Sequence, residues 1–323
     1  MPATPAKLLA EDAANLAAAP TVYLPRVADP DEAKSMIGDT VPDRAGTLTG
    51  PTIIRDADTK ELVAAYLPLR RLAALRQGLP GLKYGGVQRS ANYRSKSQTF
   101  GFAPRRPIRR REMCAAASTT TQHPEIQSAL DTVADRCERL LRSVDDTAYS
   151  TSVGQAADIL DEWKMGESDL WTSGVINDTA QLPYHRDSFN YPVWSAMPVL
   201  RRGTRGGRLH LPEYDLVVPC ADSTVTMFMG QELVHGVTPI ETVKAGGYRY
   251  SIVFYALRGM KDCFTHAQET AYGQRKRTER ERDIARRLAE GDASIPGHKE
   301  RPTPEDADSC AEATDYGAEG GLS

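Results

Sequence analysis

Three side chains in the C-terminal half of this sequence have the types and spacing of metal ligands. His185 and Asp187 are separated by one residue, and His235 follows further along the chain. Residues i and i+2 of a β-strand point to the same side, so a strand over 182–187 would direct His185 and Asp187 into one interior. Two imidazoles and one carboxylate on one face of a metal leave the opposite positions open, as in non-haem Fe(II) oxygenases. We therefore predict that His185, Asp187 and His235 bind a metal ion.

An H-x-D pair alone is also explained by an imidazole that binds a nearby backbone group, but residues 248–257 add an independent sign. Their alternation places Arg249 and Ser251 on one face of a strand. An unpaired charge inside an apolar core is costly, so Arg249 needs an anionic partner. A dicarboxylate co-substrate would supply one, because guanidinium binds carboxylate at two points and the Ser251 hydroxyl donates a further bond. A salt bridge to an acid elsewhere in the chain is the alternative.

The elements that must position these residues are mostly short strands. Apolar alternation between turn residues predicts a closed or sandwiched all-β core from eight segments: 171–177, 182–187, 193–201, 207–211, 214–219, 223–229, 232–237 and 248–257.

The segments before this core are predicted to be mixed. Strands are expected at 52–56 and 61–66, with a polar turn between them. Apolar residues spaced by three and four predict a helix over 124–143, and shorter helices are expected near 8–18, 69–77 and 154–164. The rest of residues 1–50 is expected to be irregular.

Residues 87–111 are basic, contain no acidic residue and carry Tyr93, Phe100 and Phe102 between the cations. Such a segment could bind phosphates and stack on bases. A solvated loop, or arginines paired with acids of the same chain, is the alternative. The candidate nucleic-acid contacts are Arg89, Arg94, Lys96, Arg105, Arg106 and Arg109.

Composition fits one globular protein with extensions. The chain has 323 residues, of which 40% are hydrophobic and 26% charged. Its five cysteines are scattered, which argues against a disulfide framework and fits a reducing cytosol. No apolar run is long enough to span a membrane. We expect a monomeric cytoplasmic protein, with an irregular segment at 1–50, the main domain at 51–270 and a charged, largely disordered tail at 271–323.

Three motifs resemble those of the TET/JBP family of nucleic-acid-modifying dioxygenases. The stretch 185–190 is similar to the family's H-R-D-x-x-N, 235–239 to its H-x-x-T-P, and 249–255 to its R-x-S-L-V-F-Y. The stretch 206–212 resembles the G-G-x-L-x-L-P of the JBP-like members, although this motif recurs in other 2-oxoglutarate oxygenases. The resemblance covers roughly 171–258, and the chain lacks the large inserts of the animal enzymes. It therefore resembles a compact bacterial or phage version, whose cell would be bacterial or a phage-infected host.

The resemblance implies a fold and a set of roles. The fold is α+β, a double-stranded β-helix (jelly-roll or cupin-like) at about 171–258 with flanking N-terminal helices. The cofactors are Fe(II), 2-oxoglutarate and O2, with iron on the three predicted ligands and 2-oxoglutarate on Arg249 and Ser251. Asn190 would bind the edge of a flipped base, and Tyr255 would pack on the base. Cytosine-oxidising members place a His where this chain has Leu257.

The implied reaction is hydroxylation of the methyl group of a modified pyrimidine in DNA, with 5-methylcytosine ahead of thymine. Two alternatives remain open. A hydroxylase of a small molecule, free nucleobase or peptide residue would keep the metal ligands and Arg249 but would not need the basic segment. A catalytically silent module that binds modified DNA would not need an intact metal site.

Overall fold

The computed structural model describes residues 5–90, 93–106 and 111–291. The helices are α1 Pro5–Ala17, α2 Pro30–Ser35, α3 Ala73–Gly78, α4 Ser118–Gln122, α5 Pro124–Val144, α6 Asp146–Gln155 and α7 His266–Ala289. The strands are β1 Thr21–Leu24, β2 Thr52–Asp56, β3 Leu62–Pro68, β4 Gly85–Ser90, β5 Tyr93–Ala103, β6 Ala115–Ala116, β7 Ser173–Asp178, β8 Ser195–Arg202, β9 Thr204–Gly206, β10 Leu209–Leu211, β11 Leu216–Val218, β12 Thr224–Phe228, β13 Gly236–Val237, β14 Ile240–Thr242 and β15 Tyr248–Tyr255.

One large sheet contains ten of these strands. Its order is β1-β2-β3-β12-β8-β15-β7-β5-β4, with β6 paired to β5 outside this path. Only the β1–β2 pair is parallel among the described pairs, and the others are antiparallel. Strands distant in sequence are therefore neighbours at the centre, where β8, β15 and β7 lie side by side.

Two smaller sheets complete the β-structure. Strands β11, β10 and β13 form one, and β14 and β9 form the other. Leu209, Leu211 and Leu216 of the three-stranded sheet belong to the same buried cluster as Val199 and Val225 of the large sheet. This two-sheet core is a double-stranded β-helix, and the α+β class predicted from the sequence is confirmed.

Six of the eight core strands expected from the sequence are present with shifted ends, since β7, β8, β10, β11, β12 and β15 fall inside or close to the predicted ranges. The prediction of a strand at 182–187 is wrong. That segment has no regular strand and touches its neighbour through a single antiparallel bridge between His185 and His235. The strand expected at 232–237 is reduced to β13, because the chain turns at 230–233.

A helical layer covers one side of the large sheet. The predicted helix over 124–143 is confirmed as α5, whose apolar stripe is buried against α1, α3, α4 and α6. The prediction of a helix at 154–164 is wrong. Asp145 accepts a hydrogen bond from the Ala148 amide and starts α6 earlier, and a 3-10 turn at 161–163 follows. Helix formation therefore follows the cap as well as the apolar spacing.

The N-terminal fifty residues are more regular than predicted. Strand β1 extends the large sheet beside β2, and α1 is tied to α5 by the buried pair of Asp12 and Arg136. Both oxygens of Asp12 accept bonds of 2.8 Å from Arg136. Bidentate geometry of this kind fixes the angle between the two helices as well as their distance.

The basic segment folds in part as a β-hairpin, which the sequence did not predict. Strand β5 pairs with β4 on one side and with β7 on the other. Ser95 and Ser97 are buried while Lys96 is exposed. The alternation of a strand is therefore present, but small polar residues occupy the inner positions where apolar ones would have been recognised.

Cys114 and Cys263 form a disulfide, contrary to the prediction drawn from the scattered cysteines. The pair lies 149 residues apart in sequence, so no local spacing could have revealed it. Helix α7 begins just beyond, at a capping box of Thr265 and Gln268, and makes residues 271–289 of the predicted tail helical. Residues 292–323 lie outside the described part of the chain. Among the described helices, none has the length and apolar character needed to cross a bilayer.

Candidate metal and anion site

The structure brings the three predicted metal ligands together. His185 Nε2 lies 3.9 Å from Asp187 Oδ1, and His235 Nε2 lies 3.9 Å from Asp187 Oδ2. The two imidazole rings have centroids 4.2 Å apart. One potential ligand atom from each residue falls within 4.8 Å of the others. Donor atoms at these separations can share one divalent cation at ligand distances near 2 Å.

Backbone contacts rather than a regular strand position the ligands. The His185 and His235 amides each donate to the other residue's carbonyl at 2.9 Å. The Asp187 amide donates to the Gly230 carbonyl at 2.9 Å, just beyond β12. The ligands therefore lie where two irregular segments meet. The strand predicted at 182–187 is absent, although His185 and Asp187 are close together as that strand would have placed them.

Both imidazoles are oriented for metal binding through Nε2. His185 Nδ1 lies 2.8 Å from the Pro183 carbonyl oxygen, and His235 Nδ1 lies 3.0 Å from that of Leu233. A carbonyl only accepts, so each Nδ1 carries the proton and each Nε2 has its lone pair available. Burial also lowers the pKa of His235 to about 4, which keeps its ring neutral at neutral pH.

Gly230 leaves the space that the Asp187 carboxylate occupies. A Cβ at position 230 would lie 2.7 Å from Asp187 Oδ2 and 3.4 Å from Ser195 Oγ. Any larger residue would push the carboxylate away from the two imidazoles. Sequence reasoning missed this glycine, because its reason is a contact with a residue of another segment.

Arg249 lies fully buried on β15 without a partner. Its side chain has no exposed surface, and none of its three guanidinium nitrogens has a hydrogen-bond partner among the described residues. Burial lowers the pKa of Arg249, and the nearby Cys220 side chain acts in the opposite direction. Among the described residues, no acidic side chain forms a salt bridge with Arg249. An anionic ligand could compensate for a buried cation of this kind.

Small residues surround the Arg249 side chain. Ser251, on the same strand, is buried, and Gly207 lies directly against the Arg249 side chain. A Cβ at Gly207, whose φ is +64°, would lie 2.7 Å from Arg249 Cδ. A Cβ at Gly206 would lie 1.9 Å from the Pro239 carbonyl oxygen. The paired glycines of the 206–212 motif are therefore required by two close approaches.

A second cation stands beside Arg249 and was not predicted. Arg201 on β8 is its direct cross-strand partner. Unlike Arg249, Arg201 donates to the carbonyls of Gly206 at 2.9 Å and Thr204 at 2.8 Å. Burial and the charge of Arg249 lower the pKa of Arg201. Two adjacent guanidinium groups make this end of the barrel strongly attractive to a carboxylate.

The candidate base-reading residues adjoin the metal ligands. Asn190 follows Asp187 by one turn, with its amide 2.9 Å from the Asp187 carbonyl, and forms a backbone bridge with Leu257. Asn190, Tyr255 and Leu257 are all buried. Phe189, between Asp187 and Asn190, is 47% exposed, and the Arg258 amide holds its carbonyl at 3.0 Å. Sequence reasoning missed Phe189, although its place inside the H-R-D-S-F-N stretch could have marked it.

The basic segment divides into different environments. Arg105 forms an ion pair of 3.1 Å with the buried Glu269, and its guanidinium carbon lies 4.3 Å from the centre of the Phe264 ring. The Arg106 backbone is bridged to Arg111. Lys96 is exposed. Arg109 and the side chains of Arg89 and Arg94 lie outside the described residues. Arg105 thus serves the fold, as the intramolecular alternative expected.

Comparison with known proteins gives a structural match only. No family model matches the sequence, and no curated protein matches it significantly. A structure described as NgTET1 in complex with 5mC DNA shares 14% identity with this chain, with a TM-score of 0.53, over 79% of this chain and 89% of that one. A 2OG-Fe(II) oxygenase family oxidoreductase from Burkholderia pseudomallei has 13% identity and a TM-score of 0.40, over 73% and 99% of the two chains. A Pseudomonas putida prolyl-4-hydroxylase has 15% identity and a TM-score of 0.35, over 60% and 92%. The likeness to NgTET1 shows a shared fold, the double-stranded β-helix described above.

Proposed function

We propose that this protein is an Fe(II)- and 2-oxoglutarate-dependent dioxygenase that hydroxylates the methyl group of a modified pyrimidine in DNA, 5-methylcytosine ahead of thymine. The observation that carries the oxygenase part is a pair of features inside one core. Two imidazoles and a carboxylate converge within 4.8 Å, and an arginine whose guanidinium has no hydrogen-bond partner among the described residues is buried on a central strand of the large sheet. Backbone carbonyls account for Nδ1 of each imidazole, but they do not account for the approach of both Nε2 atoms to Asp187.

His185, Asp187 and His235 would hold the iron, and Arg249 and Ser251 the distal carboxylate of 2-oxoglutarate. Bound iron, with 2-oxoglutarate and O2, supplies the oxidising power for insertion of oxygen into a C–H bond. The chain's own contribution is position and exclusion of water. Arg249 is desolvated before the co-substrate arrives, so its attraction for a carboxylate is much stronger than in water.

The nucleic-acid substrate is supported by the surroundings of the metal ligands. NgTET1, which shares the fold, was solved with 5mC DNA. Asn190 and Leu257 are backbone neighbours next to Asp187, so an amide and an apolar side chain would meet one bound base. Exposed Phe189 and Arg258 stand beside them and would offer a stacking face and a phosphate contact. These contacts would offset the few kcal/mol needed to flip a base from the duplex.

One observation favours the second candidate, a hydroxylase of a small molecule or free nucleobase. Arg105 was expected to contact DNA, but Glu269 and Phe264 occupy it. The basic segment therefore lends the DNA hypothesis less support than its composition suggests, and the choice of substrate depends on the residues around Asn190.

The decisive experiment compares substrates directly. Purified protein with Fe(II), 2-oxoglutarate and O2 is incubated with duplex DNA containing 5-methylcytosine, with thymine-only duplex and with the free nucleosides. Nucleoside mass spectrometry measures the oxidised product, and succinate release measures turnover. We expect hydroxymethylated base from the 5-methylcytosine duplex, with turnover at background in Asp187→Ala because one of the three ligands is removed.

Each contrary result identifies another function. Oxidation of free nucleoside in preference to duplex would support the small-molecule hydroxylase. Binding of methylated DNA without succinate release on any substrate would support the catalytically silent module.

A further inference from the structure

Glu213 is a buried carboxylate that the site described above does not use. It lies in a 3-10 turn at Pro212–Tyr214, directly after β10, and has no exposed surface. Its Oε1 accepts a hydrogen bond from the Val234 amide at 2.9 Å. The same oxygen lies 3.7 Å from Arg186 Nη2. An acid is fully buried only where such partners fix it, so these two contacts define what Glu213 does.

Both contacts are one residue away from the metal ligands. Val234 directly precedes His235, and Arg186 lies between His185 and Asp187. One carboxylate therefore bridges the two segments that carry the ligands. The Glu213 carbonyl in turn accepts from the Val27 amide at 2.8 Å, which anchors the turn to the N-terminal region.

The charges around the site give this bridge a second purpose. Arg186 carries a positive charge in the same segment as two ligands, and a cation near a divalent metal opposes its binding. Glu213 is the acid with which Arg186 forms its ion pair. Arg186 Nε and Glu213 Oε2 have no hydrogen-bond partner among the described residues, so the pair is joined by the 3.7 Å contact of Nη2 with Oε1 and not by a bidentate bond.

We infer that Glu213 is a positioning residue for the metal site. It holds the His185–Asp187 segment and the His235 segment at a fixed separation and neutralises Arg186. This inference rests on the proposed function only in that the three ligands bind a metal. Partners outside the ligand set usually change metal affinity by about 10- to 100-fold, which sets the expected effect.

A merely structural ion pair would behave differently. Its loss would lower the free energy of unfolding of the metal-free protein but would leave the affinity of the folded protein for metal unchanged. The test must therefore measure metal binding on folded protein, not activity.

Mn(II) binding to the full chain is measured by calorimetry for wild type, Glu213→Ala and Glu213→Gln, with circular dichroism as the check of folding. Glu213→Gln keeps an oxygen for the Val234 amide and loses only the charge. We expect Mn(II) affinity to fall by about 10- to 100-fold in Glu213→Ala and by a smaller factor, near the lower limit, in Glu213→Gln. The ligand-field spectrum of the Co(II) protein should also change in Glu213→Ala.

Glu269→Gln is the matched control. Glu269 is also buried, accepts from the Cys114 and Phe264 amides at 2.8 Å and pairs with an arginine, Arg105. Glu269 lies on α7, and its partners Cys114, Phe264 and Arg105 lie outside the two segments that carry the metal ligands. The Mn(II) affinity of Glu269→Gln should therefore equal that of wild type.

Wild-type Mn(II) affinity in folded Glu213→Gln protein would overturn the inference, and so would an equal loss in Glu269→Gln. If Glu213→Ala does not fold, the isosteric Gln variant decides alone. Failure of the wild-type protein to bind Mn(II) would instead contradict the proposed function, so the two failures are distinguishable.

Discussion

The barrel interior around Arg249 and the basic segment 87–111 both contain arginines, but they use them in opposite ways. Arg249 is fully buried, and within the described part of the chain its three guanidinium nitrogens have no hydrogen-bond partner. Arg105 lies near the surface and is occupied by Glu269 and Phe264. The buried arginine is thus available to a ligand, and the more accessible one is committed to the fold.

This contrast shows which charges indicate function. A long side chain near the surface can reach many partners within the chain, so its sequence context says little about its use. A charge on the inner face of a central strand has few partners, and leaving it unpaired destabilises the protein. Such a charge is compensated either by groups of the chain, as Arg201 is by the Gly206 and Thr204 carbonyls, or by a ligand.

The largest expected effect comes from replacing the buried charge, Arg249→Met. Binding of 2-oxoglutarate should weaken by about 2–5 kcal/mol, because the buried charged contact is lost. The metal-free protein should unfold at equal or higher urea concentration, with a gain of up to about 1–4 kcal/mol, because an uncompensated charge has been removed. Calorimetry with Mn(II)-loaded protein and urea denaturation measure the two quantities.

Arg201→Met is the control for that variant. Arg201 donates to the Gly206 and Thr204 carbonyls, so its loss should destabilise the metal-free protein. If Arg249→Met lost stability to the same extent and kept 2-oxoglutarate binding, Arg249 would be a structural residue and the contrast between the two regions would not hold.

The next effect tests the packing around Asp187. Gly230→Ala places a methyl group 2.7 Å from Asp187 Oδ2 and should lower Mn(II) affinity by about 10-fold or more. The free energy of unfolding should change by less than about 1 kcal/mol. Gly50→Ala is the control, since an added Cβ there meets no atom within 4 Å. Unchanged Mn(II) affinity in Gly230→Ala would show that the carboxylate can reach the metal from another rotamer.

A third pair of variants tests the basic segment itself. Arg105→Ala should destabilise the protein by about 1–3 kcal/mol, because it leaves the carboxylate of Glu269 buried without its cation. Lys96→Ala should change stability by less than about 0.5 kcal/mol and reduce the slope of DNA affinity against salt by about 1. Urea denaturation and DNA titrations at several salt concentrations separate the two. A reduced salt slope in Arg105→Ala without loss of stability would return this arginine to the DNA-contacting surface.

Sequence reasoning was strongest where burial imposes a period. The stripe of α5 follows from contact with a continuous apolar core, and the apolar run of β15 follows from burial on both faces of that strand. The segment around His185 has no such period, because its contact with His235 is a single bridge. The sequence therefore indicated which residues could meet, but not the irregular backbone that brings them together.

The features that sequence reasoning missed depend on distant partners. Strand β1 has only half-buried and exposed residues and pairs with β2, from which residues 25–51 separate it. Cys114 and Cys263 lie 149 residues apart in the sequence, and only the tertiary fold makes them neighbours. In the sequence Glu213 is one acidic residue in a predicted turn, and only the structure shows its contacts with Val234 and Arg186. None of these contacts leaves a local periodic pattern.

The smallest expected effect concerns the choice of base and rests on Leu257, which is buried and bridged to Asn190. Leu257→His would add a hydrogen-bonding group where cytosine-oxidising members of the TET/JBP family, which the motifs resemble, have one. One such bond contributes about 0.5–1.5 kcal/mol, so the ratio of 5-methylcytosine to thymine oxidation should rise by roughly 2- to 12-fold. Nucleoside mass spectrometry on duplexes containing both bases measures the ratio, and Leu257→Met controls for packing. If both oxidation rates fell equally and the ratio stayed constant, Leu257 would line the core and not the bound base.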